Sequence, residues 1–235
     1  MNYYDPIYQN GTPTSASPVT ISQVMRQVYL KMFLALAVSA AAAYVCAAYE
    51  PLRNMLYSSR FVFYGLVIVE LILVFSVSRA LTKGMSASKA TFLFYLYAII
   101  NGLTLSCVLL LYTPASIAMT FLITAGVFAA MSVYGYCTTR DLSGIGSFLF
   151  MALIGLIICS VVNWFVGSST LEWIVSFAGV AIFIGLTAWD TQKIKVLMMT
   201  CPGRADQIAT LGALSLYLDF INLFLYLLRF FGRDN

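Results

Sequence analysis

The longest stretch of this chain without a charged side chain covers residues 90–139, between Lys89 and Arg140. About 20 residues of helix are enough to cross the apolar core of a bilayer. These 50 residues are therefore too long for one span and suit two. Pro114 divides the stretch, because proline breaks the hydrogen-bond ladder of a helix. The pattern predicts two spans, over about 90–112 and 116–137.

The composition extends this conclusion to the whole chain of 235 residues. Charged residues make up 9% and hydrophobic residues 61%, and the mean hydropathy is +0.90. A soluble domain carries roughly 25% charged residues, so soluble enzyme folds are excluded. The net charge of +4 is interpreted as loop charge that sets topology, and no nucleic-acid partner is expected.

The other apolar runs complete an all-α, polytopic fold with seven transmembrane helices. The sixth run could stop at Trp189 or continue to the Pro202-Gly203 pair. We predict the longer helix, because Pro-Gly is a definite stop. Residues 1–24 are predicted to be a flexible cytoplasmic tail and 25–235 the seven-helix domain. The five further runs are 32–49, 61–78, 144–166, about 172–200 and 207–228.

Lysine and arginine are unevenly distributed between the two sets of loops. Nine of them fall on the side that carries the N-terminus, and four fall on the other side. Because basic loops stay in the cytoplasm, we predict a multi-pass protein of the bacterial inner (plasma) membrane with a cytoplasmic N-terminus. Seven crossings then place the C-terminus outside, whereas a re-entrant last segment would return it to the cytoplasm.

Two aspartates stand out among the acidic residues at membrane depth. Asp190 and Asp219 each lie about 14 residues from the loop that joins the last two helices, so an antiparallel pair places them at equal depth. Two carboxylates in a dry site can share a proton, and the chain contains no histidine that could sense pH instead. Their oxygens also suit Ca²⁺, given further carbonyl or water ligands. Alternatively, Asp190 caps the sixth helix and pairs with Lys193, while Asp219 bonds a neighbouring span.

Three more residues are candidates for a gate or a pathway. Asn222, one turn after Asp219, either supplies a ligand oxygen or forms an interhelical hydrogen bond. Glu70 is either a pathway carboxylate, or protonated or hydrogen-bonded within the bundle. Arg79 is either a mobile counter-ion of the acidic pair or a snorkelling lipid anchor. No catalytic or cofactor motif is evident, so we expect neither enzyme activity nor a tightly bound cofactor.

Three segments of the chain are distinctive: TTRDLSGIGSFLFMALIGLI (138–157), GLTAWDTQKIK (185–195) and LGALSLYLDFINLFLYLLRFFG (211–232). They resemble the Bax inhibitor family of transmembrane proteins, in its bacterial branch. The resemblance covers about residues 25–233. It implies a bundle in which the last helix is central, and a pH-sensitive Ca²⁺ leak gated by a di-aspartyl pair at Asp190 and Asp219. By position, it assigns contributions to gating to Arg79 and Glu70.

These observations leave two main functional hypotheses. The first is a Ca²⁺-permeable leak channel or slow transporter whose partners are the lipid bilayer, Ca²⁺ and protons. The second is a non-conducting membrane protein that restrains another one, such as a membrane-bound quality-control protease. A conductor needs both Asp190 and Asp219 along a path, whereas a protein partner needs mainly its loops and tail. Proton-coupled transport of an organic substrate is a weaker third reading, because no inverted repeat is seen.

Overall fold

The computed structural model describes residues 18–79 and 84–232, and the regular elements of these residues are all helical. Seven helices are long, and six of them have the length and apolarity needed to cross a bilayer. The remaining long helix, α3, is the shortest of the seven, with 19 residues, and its sequence carries the apolar run 61–78 with Glu70 as the single charge. The all-α, seven-helix prediction is confirmed. The helices are α1 (Pro18–Ala48), α2 (Glu50–Tyr57), α3 (Arg60–Ser78), α4 (Ala87–Leu111), α5 (Pro114–Cys137), α6 (Ser143–Val166), α7 (Ser169–Thr200) and α8 (Ala205–Phe231).

Proline marks two of the helix boundaries that the sequence predicted. Pro114 lies in the first turn of α5, where its missing N–H costs nothing. The side chain of Thr113 caps this helix by accepting a hydrogen bond from the backbone N–H of Ser116 at 3.4 Å. Helix α7 continues to Thr200 before a short 3-10 turn at Pro202–Arg204. The longer form of the sixth span is therefore correct.

The first helix begins earlier than the sequence suggested. It starts at Pro18, inside the stretch predicted as tail. Ile21, Val24, Met25 and Val28 are buried at helical spacing in the main core. The polar composition of the preceding residues concealed this period. Residues 1–17, the rest of the predicted tail, lie outside the described residues.

A short helix that the sequence analysis did not predict connects the first two spans. Helix α2 follows α1 directly and has Pro51 in its first turn. Pro51 therefore starts a new helix as well as following the end of the first span. Leu56 is the buried residue of α2, and Tyr57 reaches α4 through a 2.8 Å hydrogen bond with Ser106.

Helix α8 forms the centre of the bundle. More than half of its residues are buried, and it packs against α1, α3, α4, α5 and α7. Helix α6, by contrast, lies at the periphery against α7 and buries only Gly146 and Leu156. The central position of the last helix, which the family resemblance implied, is confirmed. Because α8 is one continuous helix of 27 residues, or about 40 Å, its length favours a full crossing over a re-entrant hairpin.

Candidate ion-binding site

A cavity of about 510 Å³ lies between the central helix and the helices around it. Helices α3 and α6 form two of its walls, and α4, α7 and α8 contribute the rest. Four of the predicted site residues line it: Glu70, Asp190, Asp219 and Asn222. The remaining residues with polar side-chain groups are Tyr97, Lys193, Ser215 and Tyr226. The other lining residues are mainly apolar: Val67, Leu71, Val74, Phe150, Leu153, Ile157, Phe183, Leu186, Trp189 and Leu218.

The two aspartates enter this cavity from adjacent helices. Asp219 of α8 is 5% exposed, and its Oδ2 atom has no hydrogen-bond partner among the described residues. Asp190 of α7 is partly buried and lies beside Ser215. Ser215 precedes Asp219 by one turn of α8. The two carboxyl groups are close enough to interact electrostatically. The structure thus brings together the pair that the equal-depth argument selected.

Lys193 brings a positive charge to the same cavity. It follows Asp190 by three residues on α7, and its Nζ atom lies 4.7 Å from the centroid of the Trp189 ring. Among the described side chains, the ion pair within 4.0 Å joins Arg53 to Glu50, and Asp190 and Lys193 do not form one. Asp190 also lies well inside α7, so it does not cap that helix.

Glu70 belongs to a hydrogen-bond network that crosses the bundle. Its carboxylate accepts hydrogen bonds from Thr104 Oγ1 at 2.7 Å and from Asn101 Nδ2 at 3.3 Å. Asn101 Oδ1 accepts in turn from the Tyr217 hydroxyl at 2.9 Å, and that hydroxyl contacts Ser39 Oγ at 2.7 Å. Glu70 therefore lines the cavity, as a pathway carboxylate would, and is also hydrogen-bonded within the bundle.

The two other predicted residues have different surroundings. The amide of Asn222 donates a 2.8 Å hydrogen bond to the carbonyl oxygen of Leu218 on its own helix, while the residue lines the cavity. Arg79 is the C-cap of α3, its side chain is exposed, and it is not among the described residues that line the cavity. Its role as a counter-ion stays a prediction.

The segment after Asp190 also fixes the loop between α5 and α6. Gln192 Oε1 accepts from the backbone N–H of Leu142, and its Nε2 donates to the carbonyl of Arg140, both at 2.8 Å. In the same loop, Asp141 accepts a 2.9 Å hydrogen bond from the backbone N–H of Ser143. The side-chain hydroxyl of Ser143 and, secondly, this backbone N–H lower the pKa of the Asp141 carboxyl. Gln192 thus has a structural task, whereas Asp190 and Lys193 face the cavity.

Lys193 is the charged cavity residue that the sequence analysis missed as a site residue; Ser215 and Tyr97, which also line the cavity, were not predicted either. It was considered as a possible partner of Asp190 but was otherwise grouped with the basic loop residues. A signal was present: once α7 is extended to Thr200, spacing of three residues puts Lys193 on the face of Asp190. The described residues contain no group of three or more His, Cys, Asp or Glu side chains that could hold a metal.

Comparisons with known proteins identify the family. Residues 21–235 match the family model described as "Inhibitor of apoptosis-promoting Bax1". The chain is 48% identical over 213 residues to the inner membrane protein YbhL of Escherichia coli K12, covering 89% of this chain and 91% of YbhL. It is 43% identical over 233 residues to RP147 of Rickettsia prowazekii, covering 96% of this chain and 98% of that protein. This chain is therefore a multi-pass membrane protein that belongs to the Bax inhibitor family.

Proposed function

We propose that this protein is a pH-sensitive, Ca²⁺-permeable leak channel or slow transporter in which Asp190 and Asp219 form the ion site. The observation that carries the proposal is the buried Oδ2 atom of Asp219, which has no hydrogen-bond partner among the described residues and belongs to a cavity that Asp190 also lines. The name of the Escherichia coli relative supports a location in the inner membrane. The excess of basic residues in one set of loops supports a cytoplasmic N-terminus.

The physical basis is the cost of an uncompensated carboxylate in a dry site. A buried charge without a partner is strongly unfavourable, so the group takes up a proton or binds a cation. Two carboxylates about 4 Å apart repel each other by about 4 kcal/mol at an effective dielectric of 20. A shared proton and a bound cation are therefore two conditions that stabilise the pair of Asp190 and Asp219.

Ca²⁺ suits the second condition because it prefers oxygen ligands and tolerates irregular geometry. Ser215 and Asn222 line the same cavity, and their side-chain oxygens can supplement the carboxylates. Two carboxylates are few for a permanent Ca²⁺ site, and this suits an ion that passes through. Protons and Ca²⁺ then compete for the pair, so the leak depends on pH.

The test is Ca²⁺ flux into liposomes that contain the purified protein and a Ca²⁺ reporter, measured between pH 6 and 8. We expect Asp190→Asn and Asp219→Asn each to abolish the pH-dependent transition, because either change removes the shared proton. Asp206→Asn is the matched control: it removes an exposed carboxylate on α8 outside the cavity and should keep the wild-type profile.

Two outcomes would contradict the proposal. If both single variants kept the wild-type pH profile, the di-aspartyl sensor would be wrong. If the wild-type protein carried no Ca²⁺ at any pH, the non-conducting hypothesis would be favoured, in which the protein restrains a partner such as a membrane-bound protease. Co-purification from membranes would then be the measurement to make.

A further inference from the structure

Lys193 is the one basic side chain among the described residues that line the cavity. It interacts electrostatically with both Asp190 and Asp219, yet it forms no ion pair with either within 4.0 Å. Its ammonium group lies instead over the ring of Trp189, at 4.7 Å from the centroid. The ammonium group of Lys193 therefore contacts the face of the Trp189 ring, although two carboxylates are nearby.

The indole that holds this ammonium group is firmly positioned. Trp189 packs against α6 at Gly146, where even a Cβ atom would overlap the indole ring. Gln192, three residues later, ties α7 to the loop before α6 through two hydrogen bonds. The lysine stem, in contrast, is a flexible four-carbon chain, and the side chain of Lys193 is exposed. The ammonium group is thus the mobile part of this arrangement.

We propose that Lys193 is a tethered counter-ion of the aspartate pair: its ammonium group rests on Trp189 when a metal cation occupies the pair and turns to the carboxylates when the cation leaves. This inference rests on the proposed ion site. Cation–π contacts at exposed sites are weak, so leaving Trp189 opposes the movement only slightly. Lys193 then competes with Ca²⁺, which weakens Ca²⁺ binding and favours release of the ion.

The other titratable groups that line the cavity do not replace Lys193 in this role. They are Glu70 of α3, Tyr97 of α4 and Tyr226 of α8, and none of them carries a positive charge. The Glu70 carboxylate already accepts two hydrogen bonds from α4, whereas Oδ2 of Asp219 accepts none from the described residues. The aspartate pair is therefore the group to which the ammonium group would move and whose negative charge it would partly offset.

The experiment uses the full-length protein in detergent with Trp164→Phe and Trp173→Phe, which leaves Trp189 as the single tryptophan of the chain. Tb³⁺ luminescence sensitised by Trp189 reports binding at the cavity, and displacement by Ca²⁺ gives the affinity. We expect Lys193→Met to bind Ca²⁺ about tenfold more tightly, because a competing positive charge has been removed. Lys193→Arg keeps the charge and should stay within about threefold of the starting protein.

Trp189 emission supplies a second readout that does not depend on ion flux. Ca²⁺ should change the emission when Lys193 is present, since the ammonium group returns to the ring, and should leave it unchanged in Lys193→Met. If Lys193→Met does not fold, Lys193→Gln takes its place in both measurements. The inference would be overturned if the neutral variant had the same Ca²⁺ affinity as the starting protein and showed the same change in Trp189 emission when Ca²⁺ is added.

The failure of this inference can be distinguished from failure of the proposed function. If Asp190→Asn and Asp219→Asn reduce Ca²⁺ binding while Lys193→Met behaves like the starting protein, the ion site stands and the tethered counter-ion is wrong. If the starting protein binds neither Tb³⁺ nor Ca²⁺, both the ion site and the counter-ion are wrong.

Discussion

Gly135 of α5 lies directly against the backbone of Ala188 of α7, so closely that a Cβ atom at Gly135 would overlap the Ala188 carbonyl group. Small residues allow helices in membranes to approach in this way. Ala188 comes two residues before Asp190. The contact between α5 and α7 therefore helps to fix the position of one member of the aspartate pair.

Gly135→Ala should destabilise the protein and disturb the ion site together. The obstructing atoms belong to backbone, so one helix must shift, at a cost of about 1–3 kcal/mol. Gly126→Ala is the matched control on the same helix, because nothing lies within 4 Å of a Cβ there, and helix propensity makes it neutral or slightly stabilising. Thermal unfolding in detergent measures the stability, and Ca²⁺ flux against pH measures the site. Equal melting temperatures for the two variants would contradict the close-contact argument.

Replacement of Glu70 should distinguish its hydrogen bonds from its charge. Glu70→Gln keeps an acceptor for Thr104, whereas Glu70→Ala removes both acceptors that α4 uses. We expect Glu70→Ala to lower the free energy of unfolding by about 1–3 kcal/mol and Glu70→Gln to lower it by less. Equal losses in the two variants would show that the carboxylate charge, and not hydrogen bonding, holds α3 to α4. Flux through Glu70→Gln then reports whether the charge also serves the pathway.

Arg79 and Lys193 offer a direct comparison of two possible counter-ions. Lys193 lines the cavity, while Arg79 is an exposed C-cap at the end of α3. We therefore expect Arg79→Ala to change the resting leak and its pH dependence less than Lys193→Met does. A larger effect of Arg79→Ala on both properties would show that the end of α3 approaches the aspartates in another conformation.

The C-terminus should lie outside the cytoplasm. Seven crossings from a cytoplasmic N-terminus require it, and the continuous helix α8 supports the last crossing. A phosphatase fusion after Asn235 should be active, and a fluorescent-protein fusion at the same position should be dark. A cytoplasmic result would point to α3 as the segment that fails to cross. Its 19 residues span about 28 Å, and it is the shortest of the seven long helices.

Much of this fold could be predicted from the sequence, because the bilayer imposes simple rules. Charge-free length and the position of Pro114 and Pro202 indicated most of the long helices. Equal distance from the last loop was enough to suggest that Asp190 and Asp219 meet, since antiparallel helices preserve depth. The start of α1 was harder to predict, because the residues before its first buried positions are polar in composition.

The rest of the site depends on which way each helix face turns, and a single sequence does not specify that rotation. Lys193 could have faced lipid headgroups as a loop charge would. Asn101 was an apparently ordinary polar residue in a span until its contacts with Glu70 and Tyr217 placed it at the centre of a network. Arg79 was assigned by position along the second span alone, without a local motif to support it.

The network that joins Glu70, Asn101, Tyr217 and Ser39 has a mechanical consequence. A slide of α8 by one turn would break both hydrogen bonds of the Tyr217 hydroxyl, to Asn101 and to Ser39, in a setting where water is not available to replace them. The central helix α8 is therefore held in place along its axis. We expect any widening of the cavity to come from movement of its outer walls, α3 and α6.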